Sequence, residues 1–195
     1  MNRLSVDLIV PSLNKDRARE TGQRARVSAG YPSTLFVAYD KDRSGFTKTV
    51  NNALRKTQSP FVCLLNDDAR PFTSGWLRHL VNALIERPNA GFAGVSGNCR
   101  TRPQAFGLPG SPYGVIEVGH VAFFCTLIRR RALEDVKYLD EKFIHYGSDV
   151  DVQWRAKRHG WKSVWVRHVY VYHDLGDFIQ PWKNIDQETF DRRWK

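Results

Sequence analysis

Two adjacent carboxylates, Asp67 and Asp68, follow the apolar run Phe61-Val62-Cys63-Leu64-Leu65 and Asn66, and Pro71 stops the segment three residues later. In an open α/β sheet, ligands sit beyond the carboxyl ends of the strands. Acids delivered there by a rigid strand can hold a hard cation, and such a cation can hold a diphosphate. The alternative role is that of turn aspartates, which commonly follow strands. Asp40 closes a second apolar run, Leu35 to Tyr39, where it would either form a turn with Lys41 and Asp42 or bond a nucleobase or ribose. His173 ends a third run, Val169-Tyr170-Val171-Tyr172, and opposite a bound cation it would be a ligand.

A fourth group lies in Tyr146-Gly147-Ser148-Asp149-Val150-Asp151-Val152-Gln153-Trp154-Arg155. Ser148 is expected to cap a helix, with Asp149 and Asp151 in its first turn, where the macrodipole favours negative charge. Asp151 and Arg155, four apart, are expected to pair. That accounts structurally for all of these residues. For Asp149 there is a second role, a general base fixed at a helix start, ionised at neutral pH and taking a proton as bond formation advances.

The elements that must position these groups alternate. Strands are expected at Leu4–Val10, Leu35–Tyr39, Phe61–Leu65 and Gly91–Gly97. Helices are expected from Ser44-Gly45 through Leu54 and from an N-cap at Ser74 through Ile85, ended by Pro88. Residues 15 to 26 carry Lys15, Arg17, Arg19, Arg24 and Arg26 and are too charged to be core. This alternation predicts an α/β fold with a mostly parallel central sheet flanked by helices. The second half differs. Residues 98–114 are rich in Pro and Gly and read as a long loop, the kind that often serves as a lid. Val115 to Ile128 is strand-like with an interruption at Gly119. Helices follow at Arg131–Lys137 and Ser148–His159, the second closed by Gly160, then a strand over Ser163–Tyr172. The tail from 178 to 195 mixes aromatic and charged residues.

At 195 residues the chain fits one domain, 1–195, whose two differently patterned halves meet near residue 98. The net charge of +10 favours anionic partners: nucleotides, phosphorylated substrates, nucleic acid or an anionic membrane. No run approaches the apolar length of a membrane span, and Met1 to Asp7 lacks a signal-peptide core. Cys63, Cys99 and Cys125 form no metal-binding spacing and suit a reducing compartment. A cytoplasmic protein, at most peripheral to a membrane, is the expectation.

Taken in order, several segments resemble the family 2 inverting glycosyltransferases with the GT-A fold. They are Ile9-Val10-Pro11-Ser12-Leu13-Asn14, Gly45-Phe46-Thr47-Lys48-Thr49-Val50-Asn51, Leu64-Leu65-Asn66-Asp67-Asp68, the Gly119-to-Arg130 stretch, Leu139-Asp140-Glu141-Lys142-Phe143, Tyr146 to Asp151, and His173. They span residues 4 to 174. The resemblance implies a metal-dependent transfer of a sugar from a nucleoside diphosphate to an acceptor hydroxyl on a saccharide, lipid-linked or other molecule. It implies that Pro11, Ser12, Asn14, Asp40, Asn51, Asn66 and Asp67 bind the nucleotide-sugar and that Asn66-Asp67-Asp68 is the DxD element. Asp68 and His173 would hold Mn²⁺ or Mg²⁺, and Asp149 would be the catalytic base. Two positions depart from the family pattern: Asn66 stands at the first acidic place of the DxD, and Ser148 stands where the family often has Glu.

Lys15 and Arg17 are expected to supplement the charge on the diphosphate. Trp154, Trp161 and Trp165 are either core or stacking residues for an acceptor, while His120 and His168 read as structural. Two rival functions remain. A nucleotidyltransferase would need a glycine-rich loop after the first strand, where Pro11-Ser12-Leu13-Asn14 has none, and would release pyrophosphate. A non-catalytic nucleic-acid-binding protein would bind with steep salt dependence, yet no nucleic-acid motif appears and the basic residues are dispersed, so no nucleic-acid partner is expected.

Overall fold

In a computed structural model, the described residues are 5–99, 103–107, 111–174 and 182–195. The strands are β1 (Val6–Ser12), β2 (Ser33–Tyr39), β3 (Phe61–Leu65), β4 (Ala69–Pro71), β5 (Ala90–Ser96), β6 (Val115–Val118), β7 (Cys125–Arg129) and β8 (Lys162–His173). The α-helices are α1 (Lys15–Val27), α2 (Phe46–Leu54), α3 (Trp76–Ile85), α4 (Arg130–Asp135), α5 (Ser148–Arg158) and α6 (Trp182–Trp194). The strands form a sheet in the order β2-β1-β3-β7-β5-β8-β4, with β6 also pairing β8.

The α/β reading holds, but the sheet is mixed. β1 pairs β2 and β3 in parallel, and β5 pairs β8 in parallel. β7 lies antiparallel to both β3 and β5, and β4 and β6 lie antiparallel to β8. The expected strand over 115–128 is in fact two, β6 and β7. Between them Ala122 accepts from Thr126 Oγ1 and donates its N–H to Gln104 Oε1, and so follows its own path. The sense of every strand follows from these pairings. β1, β2, β3, β5 and β8 point one way and β4, β6 and β7 the other, so Ser12, Tyr39, Leu65 and His173 all emerge at one edge.

Alternation along the central strands builds a core on each face. Leu8, Val10, Cys63 and Leu65 pack beneath α1 and α3, whereas Ile9, Val62 and Leu64 pack with Val50 and Leu54 of α2 and Val152 of α5. The charged stretch after β1 forms α1. Asn14 Oδ1 accepts from the N–H groups of Asp16 and Arg17, and the buried positions are the small residues Ala18, Gly22 and Ala25. A Cβ on Gly22 would sit 2.3 Å from Leu35 Cδ1, so glycine allows helix and strand to approach closely. The remaining side chains face water, which is why hydrophobic periodicity does not reveal this helix.

Two cap expectations shift by one residue. Gly75, not Ser74, precedes α3, and Gly147, not Ser148, precedes α5; both are left-handed, with φ of 69° and 74°. Ser148 is instead a buried first residue of its helix. Pro71 is the last residue of β4. β4 pairs only with β8, and a proline is tolerated on such an edge strand.

One buried ion pair ties the start of β1 to α4. Arg130 Nη2 lies 3.1 Å from Asp7 Oδ2, and the guanidinium also donates to the carbonyls of Ser59 and Leu54 and to Thr57 Oγ1. Asp7 accepts two further bonds from Ser59. Removing one partner leaves the other charge buried and uncompensated. Arg130→Met is expected to lower stability by about 3–5 kcal/mol in urea unfolding; a loss below about 1 kcal/mol would mean that water reaches the pair.

Candidate active site

A cleft of about 510 Å³ opens at the edge where β1, β2, β3 and β8 end. Pro11, Ser12, Asp40, Asn66, Asp67, Asp68, Asp149 and His173 all line it. Residues far apart in sequence therefore share one hollow, because their strands share one direction.

Asp67 and Asp68 form the turn between β3 and β4. The pairing of Ala69 with His173 draws this turn against the end of β8. His173 Nε2 lies 3.3 Å from Asp68 Oδ1 and 3.1 Å from Asn66 Nδ2, and the imidazole stacks on Phe124 at 5.0 Å. Asp68 Oδ1 and His173 Nδ1 are buried without a hydrogen-bond partner among the described residues. An orphaned carboxylate oxygen beside an imidazole is the feature of this site most suited to a cation. Among the described residues no three His, Cys, Asp or Glu side chains are gathered into a metal-binding group.

Asp67 has other partners. Its Oδ2 receives Arg17 Nε at 2.9 Å and Nη2 at 2.7 Å and is hydrogen-bonded by Ser12 Oγ, while its carbonyl accepts from Thr21 Oγ1 at 2.6 Å. The acid thus holds the Arg17 guanidinium at the cleft, which places a fixed positive charge there. Lys15 does not line the cleft. Asp40 fastens the entry to α2, with Oδ1 accepting from the N–H and hydroxyl of Ser44 and Oδ2 from the N–H of Gly45. Burial would raise its pKa, yet those bonds prevail and hold the carboxyl below its ordinary value.

Asn14 and Asn51 are not on the cleft wall. Asn14 is the exposed N-cap of α1. Asn51 is buried and clamps the second half of the chain: Nδ2 donates to Leu139 O and Glu141 Oε1, both at 3.0 Å, and Oδ1 accepts from Leu139 N–H. Asn14 Oδ1 is engaged at the cap and the Asn51 amide in the clamp, and both residues stand apart from the cleft lining.

Asp149 opens α5 and lines the same cleft. Its carboxylate accepts from the N–H of Val150 at 2.9 Å. Desolvation raises its pKa; the bonds from Val150 and Phe123 and the field of His120 oppose the rise without cancelling it. The acid is therefore a stronger base than a helix-start aspartate in water. His120, which reads as structural from sequence, lies close enough to act on it electrostatically. Asp151 pairs with Arg155 at 2.8 Å as expected and also with Arg193 at 2.7 Å.

The three tryptophans do not face the cleft. Trp165 is core and donates to Ser96 Oγ, Trp161 donates to Asp135, and Trp154 packs on Phe190 and Trp194. A smaller hollow, about 310 Å³, is lined by Trp154, Lys157, Arg158 and Trp194 and shares no lining residue with the main cleft. The aromatic wall of the main cleft is made instead by Phe46, Phe123, His145, Tyr146 and Trp182. His145 meets Phe46 edge-on at 5.9 Å and lies 5.8 Å from the Trp182 ring. Burial lowers its pKa. No periodicity or spacing marks these residues, since they come from loops and a distant helix.

Of the proline- and glycine-rich stretch, residues 100–102 and 108–110 lie outside the described residues. Gln104 is buried, donating to Val95 O and accepting from Ala122 N–H, and so fastens part of the loop to β5. Cys99 lines the cleft, whereas Cys63 and Cys125 are buried in the core.

Residues 2–189 match the sequence profile of the family described as "Glycosyltransferase like family 2". The chain belongs to that family. A Sinorhizobium fredii (strain NBRC 101917 / NGR234) protein, described as uncharacterized protein y4gI, is 26% identical over 198 residues, covering 85% of this chain. The chain spans only 22% of that protein's length.

The fold is that of the GT-A glycosyltransferases. It is similar to Staphylococcus aureus TarS 1–349, with a TM-score of 0.66 and 15% identity over 97% of this chain and 72% of that one. It is also similar to the mannosyltransferase PcManGT of Pyrobaculum calidifontis, in complex with GDP-Man and Mn²⁺, at 0.63 and 15% over 92% and 59%. A third likeness is to GalNAc-T7 with UDP, GalNAc and Mn²⁺, at 0.62 and 11% over 88% and 44%. At these identities the likeness establishes the fold. Among the described residues no helix is long and apolar enough to cross a membrane.

The position of Asp149 has a consequence for stability. A raised folded pKa means that its contribution is full below the ordinary carboxylate value of 3.8 and is lost as pH rises through the folded value. Asp149→Asn is therefore expected to raise Tm near neutral pH and to lose that advantage towards acid pH. A Tm series across this range checks it; a gain that grows on acidification would show that Asp149 is not desolvated.

Proposed function

We propose that this glycosyltransferase-family domain transfers a sugar from a nucleoside diphosphate to an acceptor hydroxyl with inversion at the anomeric carbon. The reading rests on one observation: the Asp68–His173 pair and the desolvated Asp149 line a single cleft. PcManGT binds GDP-Man and Mn²⁺ on the same fold, which supports a nucleotide-sugar donor here.

Asp68 and His173 would hold a divalent cation, Mn²⁺ or Mg²⁺. The buried, unbonded Oδ1 of Asp68, 3.3 Å from His173 Nε2, fits such an ion. That ion supplies Lewis-acid stabilisation of the leaving diphosphate. Arg17, held by Asp67, adds a fixed positive charge to the same end of the cleft. Ser12 and Pro11 line the donor side, and Asp40 shapes it by holding the Ser44-Gly45 turn.

Asp149 acts as general base. It takes the proton of the acceptor hydroxyl as that oxygen bonds to the anomeric carbon, on the face opposite the breaking bond to the diphosphate. The products are the glycoside and the nucleoside diphosphate, and the proton resides on Asp149 until exchanged with water. Desolvation serves this role, since a base of raised pKa takes the proton more readily while remaining ionised near neutral pH. The aromatic wall of Phe46, His145, Tyr146 and Trp182 provides flat surfaces for a saccharide, lipid-linked or other acceptor. A cytoplasmic location, with at most peripheral membrane contact, belongs to the same proposal.

A thermal-shift screen of UDP-, GDP- and dTDP-sugars with Mn²⁺ or chelator tests the donor. Asp68→Asn is expected to abolish metal-dependent stabilisation. Asp149→Asn is expected to keep donor binding and to lose about 10²- to 10⁴-fold in turnover. NMR of the product should show an inverted anomer. Release of pyrophosphate, or full turnover by Asp149→Asn, would overturn the reading.

A further inference from the structure

Three consecutive backbone N–H groups converge on one carboxylate. Ile144, His145 and Tyr146 donate to Asp186 at 2.7, 2.8 and 2.8 Å. Asp186 is 1% exposed and is the only residue of α6 that is fully buried. A carboxylate is tolerated in such a place only when its oxygens are fully partnered, and successive backbone N–H groups make an anion-binding concavity. A helix docked for stability alone would be expected to bury an apolar stripe. This one instead buries a carboxylate, beside the partly exposed Trp182, Phe190 and Trp194, whose rings pack on His145, Phe143 and Trp154.

The three donors lie where the cleft is shaped. The segment from 144 to 146 places His145 and Tyr146 on the cleft wall, and it leads through the left-handed Gly147 directly into α5, with Asp149 its second residue. α6 reinforces both sides of that entry. Trp182 lies 5.8 Å from His145, Phe190 packs edge-on against Phe143, and Trp194 Nε1 donates to Asp151 at 3.1 Å. The donor-side groups are carried separately, on β1, on the β3–β4 turn and on β8.

We infer that Asp186 is a positioning residue for transfer: by filling the 144–146 concavity it sets the acceptor-side wall and the placement of Asp149, leaving the donor pocket unchanged. The inference rests on Asp149 being the base. Asp186→Asn loses the charge and one acceptor while keeping the shape; Asp186→Ala loses both acceptors.

Three measurements on the whole chain test it: amide exchange at 144–146, affinity for the stabilising nucleotide-sugar with Mn²⁺, and release of nucleoside diphosphate. Both variants are expected to speed exchange at those amides. Donor affinity should change less than about twofold, while kcat falls, by as much as about 10²-fold for Asp186→Ala, the cost of an ångström-scale misplacement. Trp194→Phe removes a bond from the same helix without touching the concavity. It should lower Tm and leave kcat unchanged.

Asp186→Asn with wild-type exchange, or with a kcat loss no greater than that of Trp194→Phe, would overturn the inference alone. A wild-type chain that binds no nucleotide-sugar, or binds one and never releases nucleoside diphosphate, would overturn the functional reading and this inference with it.

Discussion

The shared direction of β1, β2, β3 and β8 is the constraint from which the cleft arises. Hydrogen-bond pairing between parallel neighbours, continued through β7 and β5, obliges these strands to end on one side of the sheet. Polar residues that would be costly inside a core are placed at those ends, where backbone and side chains are no longer paired by the ladder. β4 completes the arrangement. Its short antiparallel pairing with β8 folds the Asp67–Asp68 turn back onto His173, so a three-residue edge strand determines whether that acid and that imidazole meet.

The carboxylates at the cleft differ through their partners. Asp67 is neutralised by Arg17, and Asp40 is fastened by Ser44 and Gly45. Asp68 faces an imidazole with one oxygen unbonded, and Asp149 is desolvated. These environments push otherwise identical groups towards different chemistry. Charge removed from water must be balanced locally or else it titrates, and the fold balances the structural acids more completely than Asp68 and Asp149. Asp7, Asp151 and Asp186 illustrate the balanced class, each buried against a guanidinium or a set of backbone N–H groups.

The acceptor side is organised differently from the donor side. Donor-side residues project from strand ends and inherit the rigidity of the sheet. Acceptor-side residues lie on the 144–146 segment and on α6, and their relative position depends on polar contacts between segments about forty residues apart. Stability and site geometry are coupled there through few bonds.

Residue types and order were enough to read the α/β class, the helix that begins near Ser148, the acids at the ends of β2 and β3, the histidine at the end of β8 and the family to which the chain belongs. Local pattern carries that information because strands alternate, helices repeat and turn chemistry is short-range. The same local pattern did not reveal that the Asn14 amide serves a helix cap and the Asn51 amide a long-range clamp, and it left Trp154, Trp161 and Trp165 open between core and acceptor stacking, which packing in the core or between helices decides. It left α1 unassigned, since that helix buries only Ala18, Gly22 and Ala25 and so shows no apolar stripe. The reversal of β4, β6 and β7, the desolvation of Asp149 and the docking of Asp186 in the 144–146 amides were decided by tertiary structure alone. Each depends on which distant segment comes to lie alongside, and burial and pairing at long range are properties of that neighbour, not of the residue or its sequence context.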